Sequence, residues 1–164
     1  MSPRHEIPRT ARARARAFAT FAAGAGGRLL HLAALLTAEP PDKAPYARRL
    51  LTAALARAYA DWDASRDDDP YERARQHLVT RYARSAWHRR LAPAGRPSGS
   101  GPLGPLTPCE RVTVVLRLYE GVSEEQAAAL LGLPVERVRA MTARATVLLT
   151  RPPGAAPGTA EPSR

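Results

Sequence analysis

Apolar residues recur every three or four positions along most of the chain, which is the spacing of helices with one buried face. Prolines, glycines and aspartates interrupt this pattern at intervals. We expect helices over residues 18–37, 46–62 and 71–90, followed by shorter helices within residues 107–151. No stretch alternates apolar and polar residues in the manner of a strand. The pattern therefore predicts an all-α protein.

One segment has the composition of a flexible linker. Residues 92–105 read APAGRPSGSGPLGP, and proline, glycine and serine together disfavour regular structure. We expect this linker to join two small helical domains, a bundle of three or four helices over residues 18–91 and a second unit over residues 106–151. A basic arm over residues 1–17 and a disordered tail over residues 152–164 complete the predicted organisation.

The stretch SEEQAAALLGLPVERVRAMTAR, residues 123–144, has the order of a helix-turn-helix. Ser123 and Gln126 have the spacing of a capping box, which satisfies free N–H groups at a helix start. Gly132 suits the end of that helix, because glycine readily adopts a left-handed backbone. Pro134 can open the next helix, where its missing N–H costs little. A tight helical hairpin inside a bundle would show the same pattern, so the motif alone leaves both interpretations open.

A second capping box precedes the motif. Thr107 and Glu110 have the required spacing, and helical periodicity continues from there to residue 149. We expect residues 106–151 to fold as a unit around a small set of apolar side chains. The predicted core residues are Val112, Val115, Leu116, Leu130, Leu131, Val138 and Leu148.

The charge of the chain favours an anionic partner. Lys and Arg number 25 against 15 Asp and Glu, a net charge of +10, which suits nucleic acid before a membrane. The longest apolar run, LLHLAALL at residues 29–36, is too short to cross a bilayer, so we expect no membrane partner. Residues 106–151 are nearly neutral, which weakens the electrostatic contribution that usually dominates affinity for DNA.

The sequence offers little for catalysis or metal binding. His5, His31, His77 and His88 are scattered, and no glycine-rich loop follows a strand. We therefore expect no enzyme activity, no catalytic residue, no cofactor and no metal. The single cysteine, Cys109, cannot form an internal disulfide, and no signal peptide pattern opens the chain, so a cytoplasmic location is expected.

The C-terminal end of the third predicted helix combines cations with one aromatic ring. Arginines contact phosphates, and an indole can stack on an unpaired base. Alternatively, the tryptophan anchors the core and the cations are stabilised by the helix dipole. The candidate residues for contact with unpaired DNA are Arg81, Arg84, Trp87, His88, Arg89 and Arg90.

The chain has a helical domain that ends in W-x-R-R, then a linker, and then the stretch LTPCERVTVVLRLYEGVSEEQAAALLGLPVERVRAMTARATVLL. This arrangement resembles a bacterial sigma factor of the extracytoplasmic-function group, group 4 of the sigma-70 type. Residues 106–151 are similar to its promoter-reading region 4 along nearly their whole length. Residues 18–91 resemble region 2 more loosely, through RLLHLAALLT and ALARAYADW. The resemblance implies that the first domain docks on core RNA polymerase and opens the downstream promoter element. It implies that the helix-turn-helix reads the upstream element, and that an anti-sigma factor is a possible partner.

The second helix of the motif is the recognition helix by this resemblance. Arg137, Arg139 and Arg144 are its candidates for upstream-element contacts, because arginine suits both guanine readout and phosphate contact. The chain departs from the family where Met141 stands in place of a basic residue and Thr142 in place of leucine.

The polymerase-docking helix departs further. The family usually carries Asp-Leu-Val-Gln-Glu before ALARAY, whereas residues 49–53 here read RLLTA. A surface that meets cationic partner helices would now repel them, so we expect weak core binding, with the two domains held apart by the linker. The candidate docking face is Arg48, Arg49, Thr52 and Ala53.

Two functions follow from these features. The first is a sigma-factor-like transcription regulator that binds promoter DNA and RNA polymerase. The alternative is a degenerate sigma-like interaction module, which binds a protein partner without reading a promoter.

Overall fold

The computed structural model describes residues 9–40, 42–62, 69–90 and 99–151. Within these ranges all regular structure is helical, which confirms the all-α prediction. Helix α4 continues directly into a π-helical turn over Val115–Tyr119. The helices are α1 (Arg9–Thr37), α2 (Pro45–Ala60), α3 (Pro70–Arg90), α4 (Pro108–Val114), α5 (Glu124–Leu131) and α6 (Val135–Thr150).

Helix α1 begins nine residues earlier than the sequence pattern predicts, at Arg9 rather than at residue 18. Arginine and alanine both favour helix, so the basic stretch before residue 18 can extend α1. The guanidinium of Arg14 lies 4.7 Å from the ring centroid of Tyr59 and donates to the carbonyls of Tyr59 and Ala60. These contacts attach the first turns of α1 to the C-terminal end of α2.

Side chains outside the helices cap α2 and α3. The carboxylate of Glu39 accepts hydrogen bonds from the backbone N–H groups of Tyr46 at 3.1 Å and Ala47 at 2.7 Å. Asp69 accepts from the N–H of Tyr71 at 2.9 Å. Because the first N–H groups of a helix have no partner within it, these acceptors define where the two helices begin.

Both capping boxes of the C-terminal half are present as predicted. Thr107 and Glu110 exchange side-chain and backbone hydrogen bonds at the start of α4, and Ser123 and Gln126 do so at the start of α5. Gly132 ends α5 with a left-handed φ of 64°. The two predicted capping boxes and the predicted glycine helix end are therefore confirmed.

One hydrophobic core includes residues from both sides of the predicted linker. Helices α1 and α3 pack against α4, and α3 also packs against α5. The expectation that the two halves are held apart is therefore wrong, because their apolar faces are buried against each other. The larger members of this core are Leu32, Leu36, Leu50, Leu78, Val79, Tyr82, Val112, Val115, Leu116, Leu131 and Val138.

The end of the predicted linker lies against α1. The backbone N–H of Ser100 donates to the carbonyl of Ala38 at 2.9 Å, next to the end of α1. A Cβ atom on Gly99 would come within 2.5 Å of the Cβ of Ala38. Residues 99–105 are thus in close contact with the first half, although their composition is that of a flexible segment. Residues 92–98 lie outside the described part of the chain.

Most of the predicted core residues of the C-terminal half are buried. Leu130 is only half-buried, and Leu148, at 39% exposure, is wrongly predicted. The buried stripe of α6 runs instead through Met141 and Ala145 towards Leu149, which packs beside Ala145. Leu148 therefore lies one position outside the stripe, because the helical period of 3.6 leads from residue 145 to residue 149.

Helix α1 is the one described helix that is long and apolar enough to span a bilayer. Its best 18-residue window has a mean hydropathy of 1.3 and is 28% buried. From the sequence we expected no segment long enough to cross a bilayer. By length and mean hydropathy that expectation is wrong, because it considered only unbroken apolar runs such as residues 29–36. Leu29, Leu32 and Leu36 of this helix are fully buried against other helices. A core helix of a globular protein meets the same length and composition criteria.

Leu131→Ala tests the packing of the helix-turn-helix. Leu131 is 6% exposed, so we expect the truncation to lower the free energy of unfolding by about 2–5 kcal/mol. Leu118→Ala is the matched control, because Leu118 is 63% exposed and its loss should cost less than about 0.5 kcal/mol. Urea denaturation of both variants measures the difference. Equal losses would show that Leu131 is not part of the core.

Candidate functional site

Helices α5 and α6 are joined by a tight turn at Gly132. Ala128 is buried, and its carbonyl accepts the N–H of Leu133 at 3.0 Å, which closes the turn after Gly132. Val138 of α6 and Leu131 of α5 belong to the same core. The turn and the core together fix α6 against α5, so the outer side of α6 is a preformed surface.

The outer ridge of α6 carries no cation. Glu136, Ala140, Ala143 and Val147 follow one another at helical spacing, and all four are exposed. A helix that reads DNA usually presents basic and polar side chains at this position. The ridge here offers one negative charge and three apolar side chains, so any DNA contact by α6 depends on the flanks of the ridge.

Arg137, Arg139 and Arg144 are all exposed, but they do not form one cluster. Arg137 and Arg144 lie seven residues apart on one flank of α6, whereas Arg139 lies on the other flank. Arg139 pairs with Glu124 at 2.9 Å, and its side chain stays largely exposed. Within the described ranges Arg137 has no ion pair. Arg137 is therefore the most available of the three predicted contacts.

Arg144 is paired with the capping residue of α4. Its Nε donates to Oε1 of Glu110 at 2.7 Å, while Oε2 of Glu110 accepts from Thr107. Burial acts to raise the pKa of Glu110, but the hydrogen bonds from Thr107 and the ion pair with Arg144 outweigh it and hold this pKa below its ordinary value. Glu110 thus stays charged, and Arg144 would have to leave a carboxylate in order to bind a phosphate.

Met141 and Thr142 do not present side chains to a ligand. Met141 is buried, and the hydroxyl of Thr142 donates to the carbonyl of Val138 at 2.9 Å. The sequence comparison with the family treated Met141 as a lost basic contact. The structure corrects this interpretation, because a side chain at position 141 points into the core.

The residues of the predicted docking face lie on two different sides of α2. Arg48, Arg49 and Thr52 are exposed and Ala53 is half-buried. Arg49 and Ala53 line a groove between α2 and α3, and Arg48 and Thr52 are not among its lining residues. The guanidinium of Arg49 lies 5.9 Å from the ring centroid of Tyr46. The four residues therefore present two surfaces rather than one.

The predicted contacts with unpaired DNA are also divided. Arg81 and Arg84 are exposed and line the groove that Arg49 lines. Trp87 is half-buried and packs against the main core, which favours its role as an anchor. The side chains of His88, Arg89 and Arg90 lie outside the described part of the chain. Arginines that the sequence assigns to two separate roles thus meet in one groove.

A buried carboxylate that sequence reasoning missed connects the two halves. The side chain of Glu120, which follows the π-helical turn, is 0% exposed. Its carboxylate accepts from Arg28 of α1 at 3.3 Å, and from Arg75 at 3.2 Å and the hydroxyl of Tyr71 at 2.9 Å, both of α3. Burial raises the pKa of Tyr71, and the bond to Glu120 raises it further. Tyr71 therefore remains a neutral donor.

The one sequence signal for Glu120 is its place in a stretch that carries the resemblance. That stretch is YEGVS, but none of the partners of Glu120 is near it in sequence. Among the described residues there is no group of three or more His, Cys, Asp or Glu side chains that could hold a metal ion.

The sequence matches no protein-family model and no curated protein. The fold is similar to a solved structure, the sigma factor RpoE in complex with the anti-sigma factor NepR from Bartonella quintana. The TM-score is 0.59 at 21% sequence identity, and the match covers 82% of this chain and 94% of that chain. At this identity the similarity shows a sigma-factor-like fold.

Glu120→Gln tests the contact between the halves. The amide retains a bond to Tyr71 but removes the charge that Arg28 and Arg75 share, so we expect a loss of about 1–3 kcal/mol in unfolding free energy. Glu136→Gln is the control, because Glu136 is exposed on α6, and it should change stability by less than about 0.5 kcal/mol. A loss no larger at Glu120 than at Glu136 in urea denaturation would contradict this role.

Proposed function

We propose that this chain is a sigma-factor-like transcription regulator, which binds promoter DNA through α5 and α6 and engages core RNA polymerase through α2. The sigma-factor-like fold carries the proposal. The capped α5, the left-handed Gly132 and the exposed α6 support a DNA-binding role for the helix-turn-helix. Promoter DNA, core polymerase and an anti-sigma factor are the proposed partners, in the cytoplasm.

A second function, a sigma-like interaction module, has its own support. The outer ridge of α6 lacks cations, and Arg139 and Arg144 are paired with glutamates. The docking helix is basic where the resembling family is acidic. The solved neighbour is a sigma factor bound to an anti-sigma factor, so a fold of this kind is compatible with a protein partner. This function would need no promoter contact.

Alanine at Arg137, Arg139 and Arg144 tests promoter binding. These are the cations that flank the outer ridge of α6, so their removal should abolish a mobility shift with promoter DNA at about 50 mM salt. The matched control replaces Arg12, Arg16 and Arg48, which are exposed on α1 and α2, and it should leave the shift intact. Loss of the shift only in the control would place DNA binding on the N-terminal half.

Arg49→Asp with Ala53→Glu tests polymerase docking. The two positions lie four residues apart on the groove side of α2, and the change restores the acidic character of the family's docking helix. We expect core polymerase to bind the double variant more tightly than the wild-type chain. A binding titration at two salt concentrations measures the difference.

Arg48→Asp with Thr52→Glu provides the control for this change. It introduces the same charge at the same spacing, but on the side of α2 that faces away from the groove. Stronger binding by the control alone would show that polymerase meets the other side of α2. A tight wild-type complex that the groove-side change weakens would contradict the proposed repulsion.

A further inference from the structure

We propose that the groove between α2 and α3 is a binding site for an acidic amphipathic helix of a protein partner. This inference goes beyond the proposed function, since it requires neither promoter contact nor polymerase. Helix-in-groove recognition places an apolar helix face on an apolar floor and charged residues at the rims. The groove has basic rims and a strip of apolar residues along its α2 side.

The rims of the groove are basic on both sides. Arg49 and Arg57 extend from α2, and Arg81 and Arg84 from α3. Among the described residues that line the groove there is no carboxylate.

Three of the four arginines keep an uncompensated charge. Arg57 pairs with Asp61 at 3.0 Å, and this carboxylate also lies 3.5 Å from Nε2 of His77. Burial lowers the pKa of His77, so its ring adds little charge at neutral pH. Within the described chain Arg49, Arg81 and Arg84 form no ion pair. Their guanidinium groups are available to carboxylates, for which their planar geometry is well suited.

Apolar residues line only the α2 side of the groove, where Ala53 is half-buried and Leu50 and Ala54 are buried. The α3 side of the groove is polar. At one end the hydroxyls of Tyr46 and Ser85 lie 2.9 Å apart and connect α2 to α3. Alanines allow close approach of a helix backbone, so a partner helix with a small apolar stripe and acidic flanks matches this surface in shape and charge.

Single-stranded DNA is a poorer match for the groove. Binding of single strands combines cations with aromatic rings on which bases stack. Among Phe, Tyr and Trp residues only Tyr46 is found in the described lining, and it is engaged by Arg49 on its ring and by Ser85 at its hydroxyl. Trp87 does not line the groove and packs against the core. The groove therefore favours carboxylates over bases.

A synthetic peptide can test the proposal with the full chain. The probe is a fluorescent helix-forming peptide of about 16 residues, or four turns, with alanine and leucine along one face and glutamate on both flanks. We expect saturable binding by fluorescence anisotropy that weakens as salt rises from about 50 to about 300 mM. A scrambled peptide of the same composition should bind at least about tenfold more weakly, because it has no apolar face.

Charge reversal locates the site. Arg81→Glu with Arg84→Glu should weaken peptide binding by about tenfold or more, because the change reverses the charge of the α3 rim and repels one acidic flank of the peptide. Arg12→Glu with Arg16→Glu is the matched control, since it changes the net charge equally on an exposed part of α1 outside the groove. Thermal unfolding checks that each variant is folded. A neutral pair, Arg49→Gln with Arg84→Gln, should weaken binding in the same direction by a smaller factor.

Several outcomes would overturn the proposal. They are no binding of the peptide, equal binding of the scrambled peptide, and an equal loss in the Arg12 and Arg16 control. Tighter binding of a single strand of about 12 nucleotides, lost in the Arg81 and Arg84 variant, would make the groove a nucleic-acid site instead. The alanine variant of α6 separates this test from the proposed function. That variant should lose promoter DNA and keep the peptide, so each proposal fails on its own readout.

Discussion

The arrangement of the two halves depends on one buried cation, Arg111. Its side chain is among the largest fully buried ones, and its guanidinium donates to the carbonyls of Leu36 at 3.3 Å, Leu103 at 3.1 Å and Leu106 at 3.0 Å. A buried cation without such acceptors would be strongly destabilising. The carbonyl of Leu36 lies in the last turn of α1, where helices lack internal donors and the dipole favours a positive charge. Arg111 thereby fixes the end of α1 relative to α4, and the shared core forms around this geometry.

The Glu120 cluster is a second polar connection, and it differs in character from the first. Arg111 uses neutral carbonyls in a dry environment, where dissolved ions have little effect. In the Glu120 cluster the side chain of Arg28 is 56% exposed, so water and salt reach the ion pair and screen it. The rest of the cluster is shielded, because the side chain of Glu120 is 0% exposed and that of Arg75 only 12% exposed. Salt therefore weakens the pair with Arg28 more than the pair with Arg75.

The features that the sequence predicts correctly are local. The capping box of Thr107 and Glu110 spans three residues, and Gly132 acts at its own position. By contrast, Arg111 contacts the carbonyl of Leu36, 75 positions away, and such a pairing leaves no signal in composition or periodicity. The predicted linker also makes contacts that its sequence does not indicate. Its proline, glycine and serine content predicts flexibility, while the contacts of its last residues with α1 arise only from the tertiary fold.

The candidate site shows that the net charge of a chain indicates a binding surface only once the positions of the charged side chains are known. The net charge of +10 suggested a nucleic-acid partner, yet residues 106–151, which hold the helix-turn-helix pattern, are nearly neutral. Helical periodicity separates Arg48 from Arg49 on α2, and the packing of α3 then places Arg49 opposite Arg81 and Arg84. An acidic partner is attracted first to the surface with the most uncompensated cations. In this fold the groove between α2 and α3 meets that condition better than the outer ridge of α6, where the one charged side chain is a glutamate.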